Sequence, residues 1–350
     1  MKKRVLLFAI TGLLAMGVLT GCGSIDENDV VATVGDKEIS AGVANFYARY
    51  TQAQYETYYS GYLGENMWNT DAAEGQTYEE FVKDSVLEQL EKMTVLEEHM
   101  KDYDVSLTEE EKAVIEKSAK EFDEANTLES KEKISGSEKT VKRVLTLMAV
   151  QQKMAEAIEA DVDTEVSDEE AAQKSMQYVL FPYTSTDESG AATDLSDDEK
   201  AEAKKKAESF AESAKTAEDF EALAKEQGVE AQKATFDAES SSPNADLVKA
   251  ADALKEGEVT GMIETDSGCY VAKVTSLLDR EATDAKKESI VQERKTDLYN
   301  KTCEKWLKKD GVKVNKGVWK KVDFNELSVT IKQSSEEPYS DGAKTDDQAE

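Results

Sequence analysis

Histidine is almost missing from this 350-residue chain: His99 is the only one, so a two-histidine metal site cannot form and no metal is expected. Cysteine is scarce as well, with three in all. A disulfide framework usually takes more cysteines at closer density, which leaves Cys269 and Cys303 as either a pair or two buried thiols. Basic residues are outnumbered, 43 against 74 acidic, for a net charge of −31. A field of that sign repels nucleic acid and anionic lipid headgroups, so neither is expected to bind the folded part. Aromatic residues make up only 7% of the chain, and no internal repeat or heptad run stands out. The N-terminal apolar run, VLLFAITGLLAMGVL, is shorter than the ~20 residues a spanning helix needs. The length itself leaves room for two domains at roughly 100 to 200 residues each.

The chain opens on MKKR, a basic region, then that apolar run, then LTGC ending at Cys22. This is the order of an export signal. The small Thr20 and Gly21 before Cys22 resemble the lipobox of bacterial lipoproteins, in which a diacylglyceryl group is joined to the cysteine and cleavage falls before it. Residues 1–21 therefore read as a signal peptide and 22–29 as a tether. The mature chain would be a folded body held by a lipid on the outer face of the bacterial cell membrane.

Beyond the tether, VVATVGDKEIS has two short apolar runs around Gly35-Asp36, a hairpin signal. Ser40 then opens a helical stretch whose aromatics run from Phe46 and Tyr47 to Tyr58, Tyr59 and Tyr62, as core residues or as a groove lining. Ser/Thr-x-x-Glu capping boxes mark helix starts at Thr77, Thr108, Ser167 and Ser196. From Thr77 the residues Val82, Val86, Leu90, Met93, Leu96 and Met100 make one helical stripe, and Val141, Leu145, Met148, Ala155 and Ile158 make a second. His99 falls near the end of the first stripe, where a helix dipole favours it.

After DVDTEVSDEE the pattern changes to strand, two helices, strand, helix, strand, an α+β module of one-domain size. A final helix from about Asp284, with Ile290, Leu298, Trp306 and Leu307, needs a partner for its stripe and is expected to return to the helical domain. Residues 331–350 have no apolar stripe and read as a disordered acidic tail.

The module from Met176 to Leu278 resembles the parvulin fold of peptidyl-prolyl isomerases. The residues that carry the likeness are YVLF at 178–181, DFEALAKEQ at 219–227, ALKEGEVTG at 253–261 and TDSGCYVAKV at 265–274. With the lipobox, the VGDKEIS strand, the paired helices and the returning helix, the layout looks like PrsA-type extracytoplasmic foldases, with SurA-type chaperones as relatives. The resemblance implies a helical chaperone domain over 30–170, an inserted parvulin-like βααβαβ domain over 174–280, and a C-terminal helix and strand over 283–325 that return to the first. It implies unfolded or proline-containing exported polypeptides as partners, a homodimer as an available state, and no cofactor.

The family's two groove histidines fall on Tyr178 and Tyr270, its groove phenylalanine near Leu247, and its Gly-Gly-Asp-Leu-Gly segment is replaced by QKATFDAESSSPNAD. By the resemblance Tyr178 and Tyr270 are the catalytic positions, Leu247 and Phe181 the substrate groove, and Cys22 the lipidation site. Prolyl isomerisation needs no nucleophile, only an apolar groove that holds the peptide twisted while amide resonance is lost. A tyrosine pair can supply hydroxyls to such a groove or fill it. The readings are therefore a foldase with isomerase activity weak or lost, or a fully active isomerase using the tyrosine pair. A solute-binding lipoprotein of a transporter is the third, disfavoured by the helical first half.

Overall fold

The computed structural model describes residues 13–16, 25–64, 66–73, 75–186 and 191–332. Cys22 and most of the expected signal peptide lie outside the described residues, as does the expected tail apart from Lys332 and Ile331, and Ile331 ends a strand rather than opening a disordered segment. The chain divides into two units, Met1–Asp161 with Thr296–Glu350, and Val162–Lys295.

In the first unit the apolar run contributes a strand, β1 (Leu13–Met16). The hairpin β2 (Val30–Val34) and β3 (Lys37–Ser40) follows, then α1 (Ala41–Tyr58) and α2 (Ser60–Leu63). A small pair, β4 (Asp71–Ala73) and β5 (Gln76–Thr77), leads into α3 (Tyr78–Glu98), α4 (Glu109–Ala125), α5 (Leu128–Ile134) and α6 (Glu138–Glu159). Local chemistry sets the helix starts. Ser40 accepts from the Val43 amide, and full capping boxes form at Thr77 with Glu80 and at Thr108 with Glu111.

Most of both sequence stripes is buried, Val82, Val86, Leu90, Met93 and Leu96 on α3 and Val141, Leu145 and Ile158 on α6, while Met148 and Ala155 are half-buried and so is Met100, which falls beyond the end of α3; the two helices pack on each other. Two cores result. One runs from the hairpin through α3, and the second gathers Phe46, Ile115, Phe122, Ile134, Val144 and Leu145. Phe46 meets Phe122 edge-on at 5.3 Å between ring centres, a contact worth about 0.5–1.5 kcal/mol beyond its buried area.

The second unit starts with β6 (Lys174–Pro182), a hairpin of β7 (Thr184–Thr186) and β8 (Ala192–Asp194), then α7 (Asp197–Ala214) and α8 (Phe220–Glu226). It continues through β9 (Gln232–Phe236), α9 (Ala245–Asp252), β10 (Ile263–Thr265) and β11 (Gly268–Ser276). Its four-stranded antiparallel sheet has the order β10-β11-β6-β9. The β7–β8 hairpin and β10 are additions to the expected βααβαβ sequence. Ser196 forms a full capping box with Glu199 at α7. Ser167 makes the same bond to the Glu170 amide, yet the chain there is a turn. Only three residues separate Glu170 from Lys174, where β6 begins, and a helix has no length to propagate.

The long helix α10 (Arg280–Asp310) starts four residues before the expected Asp284. Its last part places Cys303 and Trp306 in the first unit's hairpin core. The strand β12 (Val312–Val314) then pairs with β2, the short α11 (Lys316–Trp319) follows, and β13 (Ser328–Ile331) pairs with β1.

His99 caps α3 and lies flat on Trp306, ring centres 4.2 Å apart and planes within 3°. Its Nδ1 is 2.6 Å from an Asp102 carboxylate oxygen and its Nε2 3.1 Å from one of Asp310. The end-of-helix position is as expected, but its partners are two carboxylates and an indole. Cys269 and Cys303 are free buried thiols, one in each unit. Burial pushes the Cys303 thiol up to about 11, so it is protonated at neutral pH.

Candidate functional site in the four-stranded sheet

Strand alternation decides which side chains can meet. On β6, Met176, Tyr178 and Leu180 face one side, while Val179 and Phe181 face the other. On β11, Tyr270, Ala272 and Val274 share the first side, and Cys269 and Val271 the second. In the register, Tyr178 stands opposite Ala272 and Tyr270 opposite Leu180. The two tyrosines are thus diagonal neighbours, their ring centres 6.1 Å apart and planes tilted by 43°. The structure brings together Tyr178, Tyr270 and Leu247, with α9 laid over that face through Leu247, Val248 and Ala251.

Phe181 is the exception. It lies on the opposite face with Phe210 and Phe220, its ring 5.8 Å from that of Phe210. It is three residues from Tyr178, and an odd spacing along a strand reverses the face. Phe181 is therefore core of the α7 and α8 side and no part of a groove with the tyrosines.

The tyrosine face is filled. Tyr178 is 9% exposed, Tyr270 7% and Leu247 fully buried, so a prolyl ring reaches Leu247 only if α9 moves. The Tyr178 hydroxyl donates to Gln232 Oε1 on the neighbouring β9, a partner with no signal in the sequence. Burial, with a smaller contribution from Tyr270, raises the Tyr178 hydroxyl above its ordinary pKa, which keeps it a donor. A cleft of about 530 Å³ in this unit is lined by Ser175, Met176, Gln177, Thr235 and Asp279. Met176 of the tyrosine face lines it, but Tyr178, Tyr270 and Leu247 do not.

Gly268 accounts for the start of the TDSGCYVAKV strand. Its φ is +143°, and a Cβ there would lie 2.3 Å from the Phe181 carbonyl oxygen. Only glycine lets β11 approach β6 this closely. Behind it, the Tyr183 hydroxyl donates to Glu264 at 3.0 Å and lies 3.2 Å from the Cys269 sulfur. These groups are on the far side of the sheet from the tyrosine pair.

The sheet is pinned at its other end by Asp237, at the end of β9. Its carboxylate accepts from Gln173 Nε2 at 2.8 Å and Ser240 Oγ at 2.8 Å and lies 3.3 Å from Lys286 Nζ. Burial pushes this carboxyl up, but the bonds from Gln173, Ser240, Lys286 and the Glu239 amide outweigh it and hold the pKa at about 2. A folded pKa below the unfolded one gives stability that is present above the unfolded pKa and lost as pH falls through the folded one. We expect Asp237→Asn to lower the stability of this unit by about 1–2 kcal/mol at neutral pH. The difference from the parent should vanish between about pH 4 and pH 2, as read by denaturant midpoints at each pH.

The comparisons with known proteins bear on this unit. Residues 190–287 match the family model described as the PPIC-type peptidyl-prolyl isomerase domain. The chain is thus a mixed α+β protein that carries a parvulin-type domain. Tyr270 and Leu247 lie inside the matched stretch, and β6 with Tyr178 precedes it. No curated protein matches the chain. Among solved structures, the chain is similar to foldase protein PrsA from Streptococcus pneumoniae, at 20% identity and a TM-score of 0.29, covering 74% of this chain and 99% of that one. It is also similar to the foldase PrsA of Lactococcus lactis, at 15% identity and a TM-score of 0.33, covering 85% and 98%. A SurA-like chaperone structure from Campylobacter jejuni is similar at 13% identity and a TM-score of 0.30, covering 83% and 100%.

Proposed function

We propose that this protein is a PrsA-type extracytoplasmic foldase, anchored to the membrane by a lipid on Cys22, that binds unfolded exported polypeptides and has weak or no prolyl isomerase activity. The observation that carries this reading is the buried tyrosine face, Tyr178 and Tyr270 closed over by the fully buried Leu247. Isomerisation needs a groove open to a prolyl ring, and here that space holds two phenol rings. The leader-like N-terminus and the Thr20-Gly21-Cys22 sequence support the anchor. No helix among the described residues is long and apolar enough to cross a membrane.

Client binding is assigned to the first unit. Its aromatic helix divides into two parts: Phe46 is fully buried, while Tyr58, Tyr59 and Tyr62 are exposed at its far end together with Leu63. Tyr62 is 93% exposed, so its ring is free to contact a client. Aromatic rings of this size offer roughly 150–250 Å² each to an unfolded chain. We expect the triple change Tyr58→Ser, Tyr59→Ser and Tyr62→Ser to reduce suppression of client aggregation about twofold or more, at unchanged thermal stability. Light scattering of a chemically denatured client diluted into buffer reads this. Full suppression by the triple variant would move client binding elsewhere. Acceleration of a proline-limited refolding reaction that is abolished by Leu247→Ala would overturn the weak-isomerase part.

A further inference from the structure

Strand β13 has an unusual support. On one edge it pairs with no strand among the described residues. Instead, Glu56 on α1 accepts from the Val329 amide at 2.7 Å and the Ser328 hydroxyl at 2.6 Å, and Thr57 Oγ1 accepts from the Ile331 amide at 2.9 Å. The segment leading in is held from the same helix, Gln52 Nε2 donating to the carbonyls of Phe324 at 3.0 Å and Leu327 at 2.6 Å. Strand backbone groups alternate in direction, so the amides of Ser328 and Thr330 point to the opposite edge.

That second edge is occupied by the chain's own N-terminal run. Leu13, Leu14, Ala15 and Met16 pair antiparallel with Ile331, Thr330, Val329 and Ser328 in turn. Among the described residues this two-stranded sheet has no other member. Its occupant is an extended, wholly apolar tetrapeptide within the segment read above as a removable leader. A cleft of about 310 Å³ lies where Ser328 and Thr330 face Glu56, Ser60, Gly64 and Trp68, on the side held by α1. Removal of the leader leaves a row of unpaired backbone groups on a strand that α1 still holds in place, the arrangement that strand addition requires.

We infer that the outer edge of β13 is a docking strand that takes an extended apolar segment of an unfolded exported polypeptide, and that Leu13–Met16 occupies it until the leader is cut away. The inference rests on the processing at Cys22 in the proposed function. Main-chain bonds supply the affinity, so the site tolerates many sequences, as a client-binding strand must.

The test uses a fluorescent peptide with the sequence TGLLAMGV, residues 11–18, and two forms of the protein, the full chain and the chain beginning at Cys22. Anisotropy should show binding to the shorter form and about tenfold weaker binding to the full chain. Thr330→Pro removes one outward amide from an edge position that tolerates proline, and should weaken binding about tenfold in the shorter form. Thr330→Ala keeps the amide and should stay within about twofold, with circular dichroism and melting checking that both variants fold. Equal binding to the two forms, no binding to the shorter one, or a Thr330→Pro variant that binds like the parent overturns the proposal. A dimer of the shorter form that Thr330→Pro dissociates also overturns it, because the occupant is then a second copy. Residues 1–21 still present on the protein isolated from membranes would remove the vacant edge and the proposal with it. Peptide binding without any suppression of aggregation would sink the foldase reading alone and leave the docking strand standing.

Discussion

Tyr270→Ala is expected to lower the stability of the second unit by about 3–5 kcal/mol while leaving the rate of proline-limited refolding of a client unchanged. Tyr270 is 7% exposed, and its ring is bounded by Tyr178 and by the α9 residues Leu247 and Val248. Its strand is fixed on both edges, by β10 through the Ile263 pairing and by β6 through the Leu180 pairing. The backbone therefore cannot close over the space a missing phenol leaves, and the cost is that of a large-to-small core change. A catalytic role predicts the reverse pattern, activity lost at nearly constant stability. Two units need not share one unfolding transition, so amide exchange along β6 and β11 is the better readout than a single global melt. Tyr178→Phe separates the hydroxyl from the ring. It removes only the bond to Gln232 and should cost about 1 kcal/mol.

Much of this arrangement was legible in the sequence, because it follows from local chemistry and short periods. The capping residues Thr77, Thr108 and Ser196 start helices where the Ser/Thr-x-x-Glu pattern puts them. Ser167 shows the limit of that pattern, which reports a bond to the N3 amide and needs a following apolar stripe to become a helix. Tyr178 and Tyr270 were legible as a pair. The resemblance places Phe181 in their groove, although the two-residue period of a strand puts it on the other face. The closing of the groove was not legible. It depends on how far α9 sits from the sheet, a packing distance that no spacing encodes. Nor was the role of Arg49 and Gln52, polar residues in an aromatic helix whose carbonyl partners lie more than 270 positions away. A polar residue in a helix reads as solvated until the returning chain covers it.

Replacement of Arg49 by methionine should cost about 3 kcal/mol and free residues 323–331 from α1. Arg49 is 4% exposed; its Nη1 donates to Gln52 Oε1 at 2.7 Å and to the Asp323 carbonyl at 2.9 Å, and its guanidinium lies 5.8 Å from the centre of the Phe324 ring. Burial lowers its pKa to about 10, against the pull of Asp323, Glu79, Glu56 and Glu326, so it is charged at neutral pH. Methionine fills the volume but withdraws the cation from those four carboxylates and leaves the Gln52 oxygen without its donor. Gln52 then holds Phe324 and Leu327 less firmly, and Glu56 loses the charge that offsets its own. Lysine in place of Arg49 should recover only part of the loss, since an ammonium cannot make the same planar contact with Phe324. Exchange of the Val329 and Ile331 amides reads the effect directly, because both donate to α1 side chains. Their protection should fall while that of the α3 core around Leu90 and Met93 holds. Peptide capture at the β13 edge should fall with it, since an edge binds an added strand only while its own strand is held in place.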